Sequence, residues 1–109
     1  MKEMFIIVFC TVSTLEEAKK ISYRLIEKQL AACCSISANF TSIYQWQNKI
    51  EESNEVLIII KTSKKNYENL EKEIKMLHSY TVPEIIAVKI DNGSRAYLDW
   101  IKESTETYK

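Results

Sequence analysis

Residues Ser35–Trp46 read SISANFTSIYQW, and Val56–Lys61 follow as VLIIIK. The first stretch alternates: Ile36, Ala38, Phe40, Tyr44 and Trp46 fall on one side, interrupted only by Ser42. Ser35, Ser37, Asn39, Thr41 and Gln45 fall on the other, with Ile43 the exception. A repeat of two is that of a β-strand, whose successive side chains point to opposite faces. At twelve residues it is about twice the usual strand length. A turn near Asn48-Lys49 returns the chain into VLIIIK, apolar until its last residue. The two stretches predict a long hairpin whose tip overhangs the sheet.

Toward the N-terminus, Met4–Cys10 (MFIIVFC) is a strand, apolar throughout. Ser13 opens a helix, with Glu16 completing a capping box. Leu15, Ala18, Ile21, Ser22, Leu25, Ile26 and Leu30 share one half of that helix, and Glu16 and Lys20 are spaced to pair on the wet side. Toward the C-terminus, Ser63 starts a second helix with Tyr67, Leu70, Ile74 and Leu77 inward and Glu68/Lys72 outward. Val82-Pro83 forces extended backbone. Glu84–Ile90 is the fourth strand, Asp91-Asn92-Gly93 a turn, and Ser94 caps a short helix, Arg95–Lys102.

The order β-α-β-β-α-β, with no repeat or linker, predicts a single α+β domain over residues 1–109 with a ferredoxin-like antiparallel sheet. In that arrangement both helices cover one face. A half-covered sheet alternates apolar and polar residues, yet Ile6 and Val8 oppose Phe5, Ile7 and Phe9, and Leu57 and Ile59 oppose Val56, Ile58 and Ile60. Covering about six such side chains is worth on the order of 10 kcal/mol. Association with further copies of the chain is the expected cover, and a fold-back of the last helix through Tyr97, Leu98, Trp100 and Ile101 the alternative.

Fifteen basic residues balance fifteen acidic ones. A neutral chain has no long-range attraction for nucleic acid or anionic lipid. VLIIIK also lacks the Lys/Arg-Gly-Phe/Tyr sequence and the stacking aromatics of an RNA-binding strand. One glycine, Gly93, excludes phosphate-cradling glycine loops, and a single histidine, His78, excludes a multi-histidine cage. No GxSxG elbow, HExxH motif or paired-carboxylate motif occurs, so no enzyme and no organic cofactor are expected. Three cysteines, Cys10, Cys33 and Cys34, form no disulfide framework. Lys2 and the short run after it span no bilayer, so a cytoplasmic location is expected.

FCTVSTLEEAKKIS, LIEKQLAAC, TSIYQWQNKIEE, EVLIIIKT, HSYTVPEIIAVKI and YLDWI run in order over nearly the whole chain. Together they resemble the CutA divalent-cation tolerance family. The resemblance implies a ferredoxin-like subunit in a homotrimer joined strand edge to strand edge, and a link to copper, Cu(II), or another divalent cation. It also implies a likeness to the PII signalling proteins, which hold small effectors in clefts between subunits. Cys10 stands at the family's copper-linked cysteine. Leu77-His78 stands where some members carry two histidines, so one ligand is missing. Ala38-Asn39 replaces a usual Pro-Gly, Gln47-Asn48 a usual Glu-Gly, and Ser79 a common proline.

Two sets of candidate residues follow. Cys10 and His78 are the metal pair, a soft thiolate with an imidazole, although each also suits a structural role as a buried thiol and a helix-end histidine. Tyr44, Trp46, Lys61, Tyr80 and Glu84 are candidates for a ligand cleft or an interface between subunits. Lys61 and Glu84 sit at the ends of apolar strands, where a charge needs a partner, and pairing with each other is the simplest expectation. Cys33 and Cys34, adjacent and so pointing oppositely, read as structural.

Overall fold

The capped turns and alternating runs become eight elements in a computed structural model that describes residues 3–106. They are β1 (Phe5–Val12), α1 (Leu15–Glu27), β2 (Cys33–Trp46), β3 (Lys49–Ser63), a 3₁₀ turn (Lys64–Asn66), α2 (Tyr67–Leu77), β4 (Ile85–Lys89) and α3 (Arg95–Ser104). Lys2 lies outside the described residues. The strands form one antiparallel sheet in the order β2-β3-β1-β4. Each strand–helix–strand unit is therefore split by an intervening strand. No helix among the described residues is long and apolar enough to cross a membrane.

Helix α1 starts one residue later than its sequence suggests. Thr14, in extended conformation, is the cap and accepts from the Glu17 amide at 3.0 Å. Ser13 instead donates to a Glu17 carboxylate oxygen at 3.1 Å. The helix ends with Gln29 at φ 60°, while Leu30 N–H reaches Leu25 O at 2.9 Å and Gln29 N–H reaches Ile26 O at 3.0 Å. This reversal usually employs glycine. Here Gln29, Asn39, Gln47 and Asn48 take the positive-φ positions among the described residues. Ser63 does not open α2. It closes β3 opposite Phe5, its buried hydroxyl has no partner among the described residues, and the 3₁₀ turn intervenes. Ser94 caps α3 as expected, accepting from Tyr97 N–H at 3.2 Å.

The core lies between the sheet and the pair α1/α2. Val8, Cys10 and Val12 of β1 and Val56, Ile58 and Ile60 of β3 meet Ala18, Ile21, Leu25, Leu70 and Ile74. Leu15 and Ile26, at the margins of the α1 stripe, remain exposed. Glu73, a buried carboxylate on α2, ties the two helices together by accepting from Arg24 at 3.2 Å and Lys28 at 3.0 Å. The ion pair within α2 is Glu71–Lys75 rather than Glu68/Lys72.

The far face of the sheet is not wholly bare. Helix α3 packs on β3 from outside the α1/α2 core, with Ile101 fully buried. Ile7, Phe9, Leu57 and Ile59 are half-buried. The fold-back expected as the alternative is thus realised in part, and the open remainder runs along β4, where Ile86 is 54% exposed opposite Phe9.

Candidate functional site

Strand β2 does not keep a single alternation. Ser37 pairs with Leu57 but Phe40 pairs with Glu55, so Ala38 and Asn39 together oppose Val56. This β-bulge, with Asn39 at φ 61°, shifts the parity of every later residue. Ile36, before it, faces Ile58 and the core. Phe40, Tyr44 and Trp46, after it, lie on the opposite face. The common face expected from Ile36 to Trp46 is therefore broken in the middle. The ribbon closes through Gln47-Asn48, one residue earlier than expected, with φ of 50° and 66°. Positive φ at both positions is the mark of a two-residue hairpin turn.

The flipped half of β2 forms one wall of a cleft at the base of the hairpin, about 850 Å³ in volume. Tyr44 and Trp46 line it with Phe40, Glu55 of β3, Thr11 at the end of β1, and residues 79–82 and Glu84 ahead of β4. The Tyr44 hydroxyl lies 2.7 Å from Ser53 Oγ across the ribbon. Tyr80 donates to Glu55 Oε2 at 2.8 Å. Burial and then this carboxylate raise the Tyr80 phenol, so it stays a donor.

The loop carrying Tyr80 is held from behind. His78, whose side chain is fully buried, lies with Nε2 2.7 Å from Thr11 O, and its Nδ1 accepts from Tyr80 N–H at 3.0 Å. With Thr11 O accepting and Tyr80 N–H donating, these partners suit a ring proton on Nε2. Glu17 Oε2 accepts from Ser79 N–H at 2.8 Å, and Oε1 from Ser79 Oγ at 3.1 Å. Burial pushes the Glu17 carboxyl up, but the two Ser79 donors and Ser13 pull it further down, leaving it below the usual range.

The cleft thus gathers Tyr44, Trp46, Tyr80 and Glu84 and excludes Lys61. Lys61 Nζ stands 3.4 Å from Ser35 Oγ and 4.0 Å from Cys33 Sγ, on the neighbouring part of β2. No ion pair joins Lys61 to Glu84 among the described residues. Their expected pairing is not found, because Lys61 pairs with Ile7 and Cys33 in the sheet while Glu84 lies ahead of β4. Glu55, Thr11 and Glu17 were not singled out in the sequence. Only Glu17 had a visible signal there, three residues after Thr14.

Cys10 and His78 converge on the Thr11 carbonyl, with Cys10 Sγ 4.0 Å away. Burial, and then the negative charge of Glu84, push the Cys10 thiol up to about 12. Burial raises Cys34 to about 11. A metal at the Cys10–His78 pair would have to take a proton from that thiol and displace an imidazole hydrogen bond. Among the described residues no group of three or more His, Cys, Asp and Glu is gathered to hold a metal.

Residues 6–104 match the family model described as CutA1 divalent ion tolerance protein. The divalent-cation tolerance protein CutA of Thermus thermophilus is 44% identical over 99 residues, 91% of this chain and 96% of that one. Its solved structure superposes with a TM-score of 0.92 over 94% of this chain and all of the other. The Archaeoglobus fulgidus protein, titled periplasmic divalent cation tolerance protein CutA, is 41% identical with the same TM-score and coverage. Human Protein CutA is 39% identical over 91% of this chain, which spans 55% of that longer relative.

Proposed function

This chain belongs to the CutA1 family of divalent ion tolerance proteins, and we propose that it works as a cytoplasmic homotrimer that binds a divalent cation in the cleft at the hairpin base. The observation carrying this reading is the charge of the cleft. Among the described residues Glu55 and Glu84 are the only acidic side chains that line it, and no lysine, arginine or histidine lines it beside them. Tyr44 and Trp46 stand beside these carboxylates, and two like charges on one cleft draw in a cation. One subunit supplies two carboxylates and several hydroxyls, short of the six to eight oxygens a hard cation prefers. A neighbouring subunit is the natural source of the remainder. Exposed Ile43, Trp46 and Ile50 on the overhanging ribbon, with Ile86 and Val88 on β4, support that assembly. Unpaired thiols suit a reducing compartment.

The copper reading at Cys10 and His78 asks more of the protein, since both groups are committed to the interior. The PII-like reading, a small effector between subunits, draws on the same cleft and on its aromatic walls. Titration calorimetry with Mn(II) and with Cu(II) on the wild type, Glu84→Gln, Cys10→Ala and His78→Ala separates the metal sites. Binding lost in Glu84→Gln and kept in Cys10→Ala supports the cleft. The reverse pattern transfers the metal to the thiol, and no binding of either ion removes the metal reading. Molar mass from light scattering tests the trimer, and a well-folded monomer at micromolar concentration would refute it.

A further inference from the structure

The geometry points to Asn92 as a site of spontaneous covalent modification, an asparagine that converts to isoaspartate and thereby loosens helix α3. Six asparagines occur in the chain, and only Asn92 is followed by glycine. The reaction needs the next residue's backbone nitrogen to fold back on the asparagine side chain, and a Cβ on that next residue stands in the way. Asn39, Asn54, Asn66 and Asn69 lie within β2, β3, the 3₁₀ turn and α2, which fix the backbone around them. Asn48 closes the hairpin in a tight turn and precedes Lys49. Asn92 and Gly93 are exposed and belong to neither helix nor strand. On one side Ile90 N–H reaches Phe5 O at 2.9 Å, and on the other Leu98 N–H reaches Ser94 O at 3.0 Å. Between these ties, neither Asn92 nor Gly93 makes a backbone hydrogen bond among the described residues. The Gly93 nitrogen is free to react.

That nitrogen bonds to Asn92 Cγ as the Cγ–Nδ2 bond breaks, and its proton leaves with Nδ2 as ammonia. Water then opens the succinimide ring at one of its two carbonyls, giving aspartate or isoaspartate. Neither step needs an enzyme, a cofactor or an oxidant. Packing keeps the reactive pair in place, since a Cβ on Gly93 would stand 3.1 Å from Leu98 Cδ2 and 3.2 Å from its Cγ. Two consequences reach α3. Asn92 Nδ2 donates to Asp91 Oδ2 at 2.9 Å, and either product replaces that donor with a second carboxylate. Isoaspartate also routes the backbone through Cγ, adding one atom to the short link between Ile90 and Ser94, the α3 cap. Ile101 is the one buried residue of that helix, so its hold on the sheet is easily disturbed.

Prolonged incubation of the full chain at mildly alkaline pH, followed by peptide mapping and an isoaspartate-specific methyltransferase assay, tests the inference. Isoaspartate should accumulate at position 92 roughly tenfold or more faster than at position 48. The aged protein should melt several degrees below a fresh sample. Asn92→Gln, whose longer side chain would have to close a slower six-membered ring, should keep its peptide map and its melting temperature through the same incubation. Fresh Asn92→Asp, which adds the charge without the extra backbone atom, should melt close to fresh wild type, because a carboxylate suits a helix N-terminus. Modification at 92 no faster than at 48 overturns the proposal. So does a melting loss on ageing that is equal in Asn92→Gln, or one already present in fresh Asn92→Asp.

Discussion

Strand β3 passes through two environments, and the contrast is the most instructive feature of the fold. From Val56 to Ser63 it is the second strand of a four-stranded sheet, with Val56, Ile58 and Ile60 sealed under α1 and α2. From Lys49 to Glu55 it has only β2 beside it, and Ile50 is 81% exposed. A two-stranded ribbon is at best marginally stable in water. The inner half holds itself together through the chain's own packing. The outer half keeps aromatic and branched residues that this packing does not use, and its persistence depends on what meets it.

The largest expected effect separates the two halves directly. Ile60→Ala should cost about 2–5 kcal/mol in urea denaturation, through lost transfer energy and the cavity left behind. Ile50→Ala should cost less than about 0.5 kcal/mol in an isolated subunit. If Ile50→Ala instead costs several times that amount, and the loss shrinks with protein concentration, the ribbon is covered by a neighbour. Next comes the boundary between the halves. His78→Ala deletes the ring between Thr11 O and Tyr80 N–H and should cost about 1–3 kcal/mol by the same measurement. A loss as small as that of Ile50→Ala would place the Tyr80 loop with the weakly held half.

Acid should act first on the packed half and its link to the loop. Glu17 is held below its usual range against the upward push of burial. Glu73 is held there chiefly by the Lys28 hydrogen bond. A depressed carboxylate stabilises the fold above its unfolded pKa, and that contribution disappears as pH falls through the folded value. Unfolding midpoints should therefore drop as pH falls through and below the usual carboxylate range, and less steeply in Glu17→Gln. Equal slopes for wild type and variant would remove Glu17 from the account. The smallest effect belongs to the ribbon tip. Asn48→Gly, at φ 66°, should shift stability by less than about 1 kcal/mol, because the turn gains ease while the unfolded chain gains freedom.

Periodic signals carried most of the fold. Three apolar runs and one alternating stretch located the four strands, and the stripes Ala18/Ile21/Leu25 and Leu70/Ile74 located both covering helices. Local chemistry was less legible. Ser13 and Thr14 both suit a cap, and only backbone geometry chose Thr14. The bulge was hidden because Ala38 and Asn39 lack the glycine that advertises such sites, and the alternation, interrupted only at Ser42 and Ile43, runs straight across it. The cleft was recovered in part, since Tyr44, Trp46, Tyr80 and Glu84 meet there. Glu55 and Thr11 were missed because each joins the site only through strand pairing distant in sequence. Lys61 was misplaced for the complementary reason. A strand-end charge looks needy in one dimension, and in three it reaches across the sheet to Ser35 on β2.

One extra residue beside Asn39 has a consequence for how this protein can change. Upstream of the bulge, substitutions in β2 are filtered by whether the subunit folds; downstream, by whatever the ribbon touches. The two stretches can therefore diverge at separate rates within a single strand. Excising Asn39 would merge them again and roll the indole of Trp46 over to the helix side, leaving the interior's composition intact and the cleft without its wall.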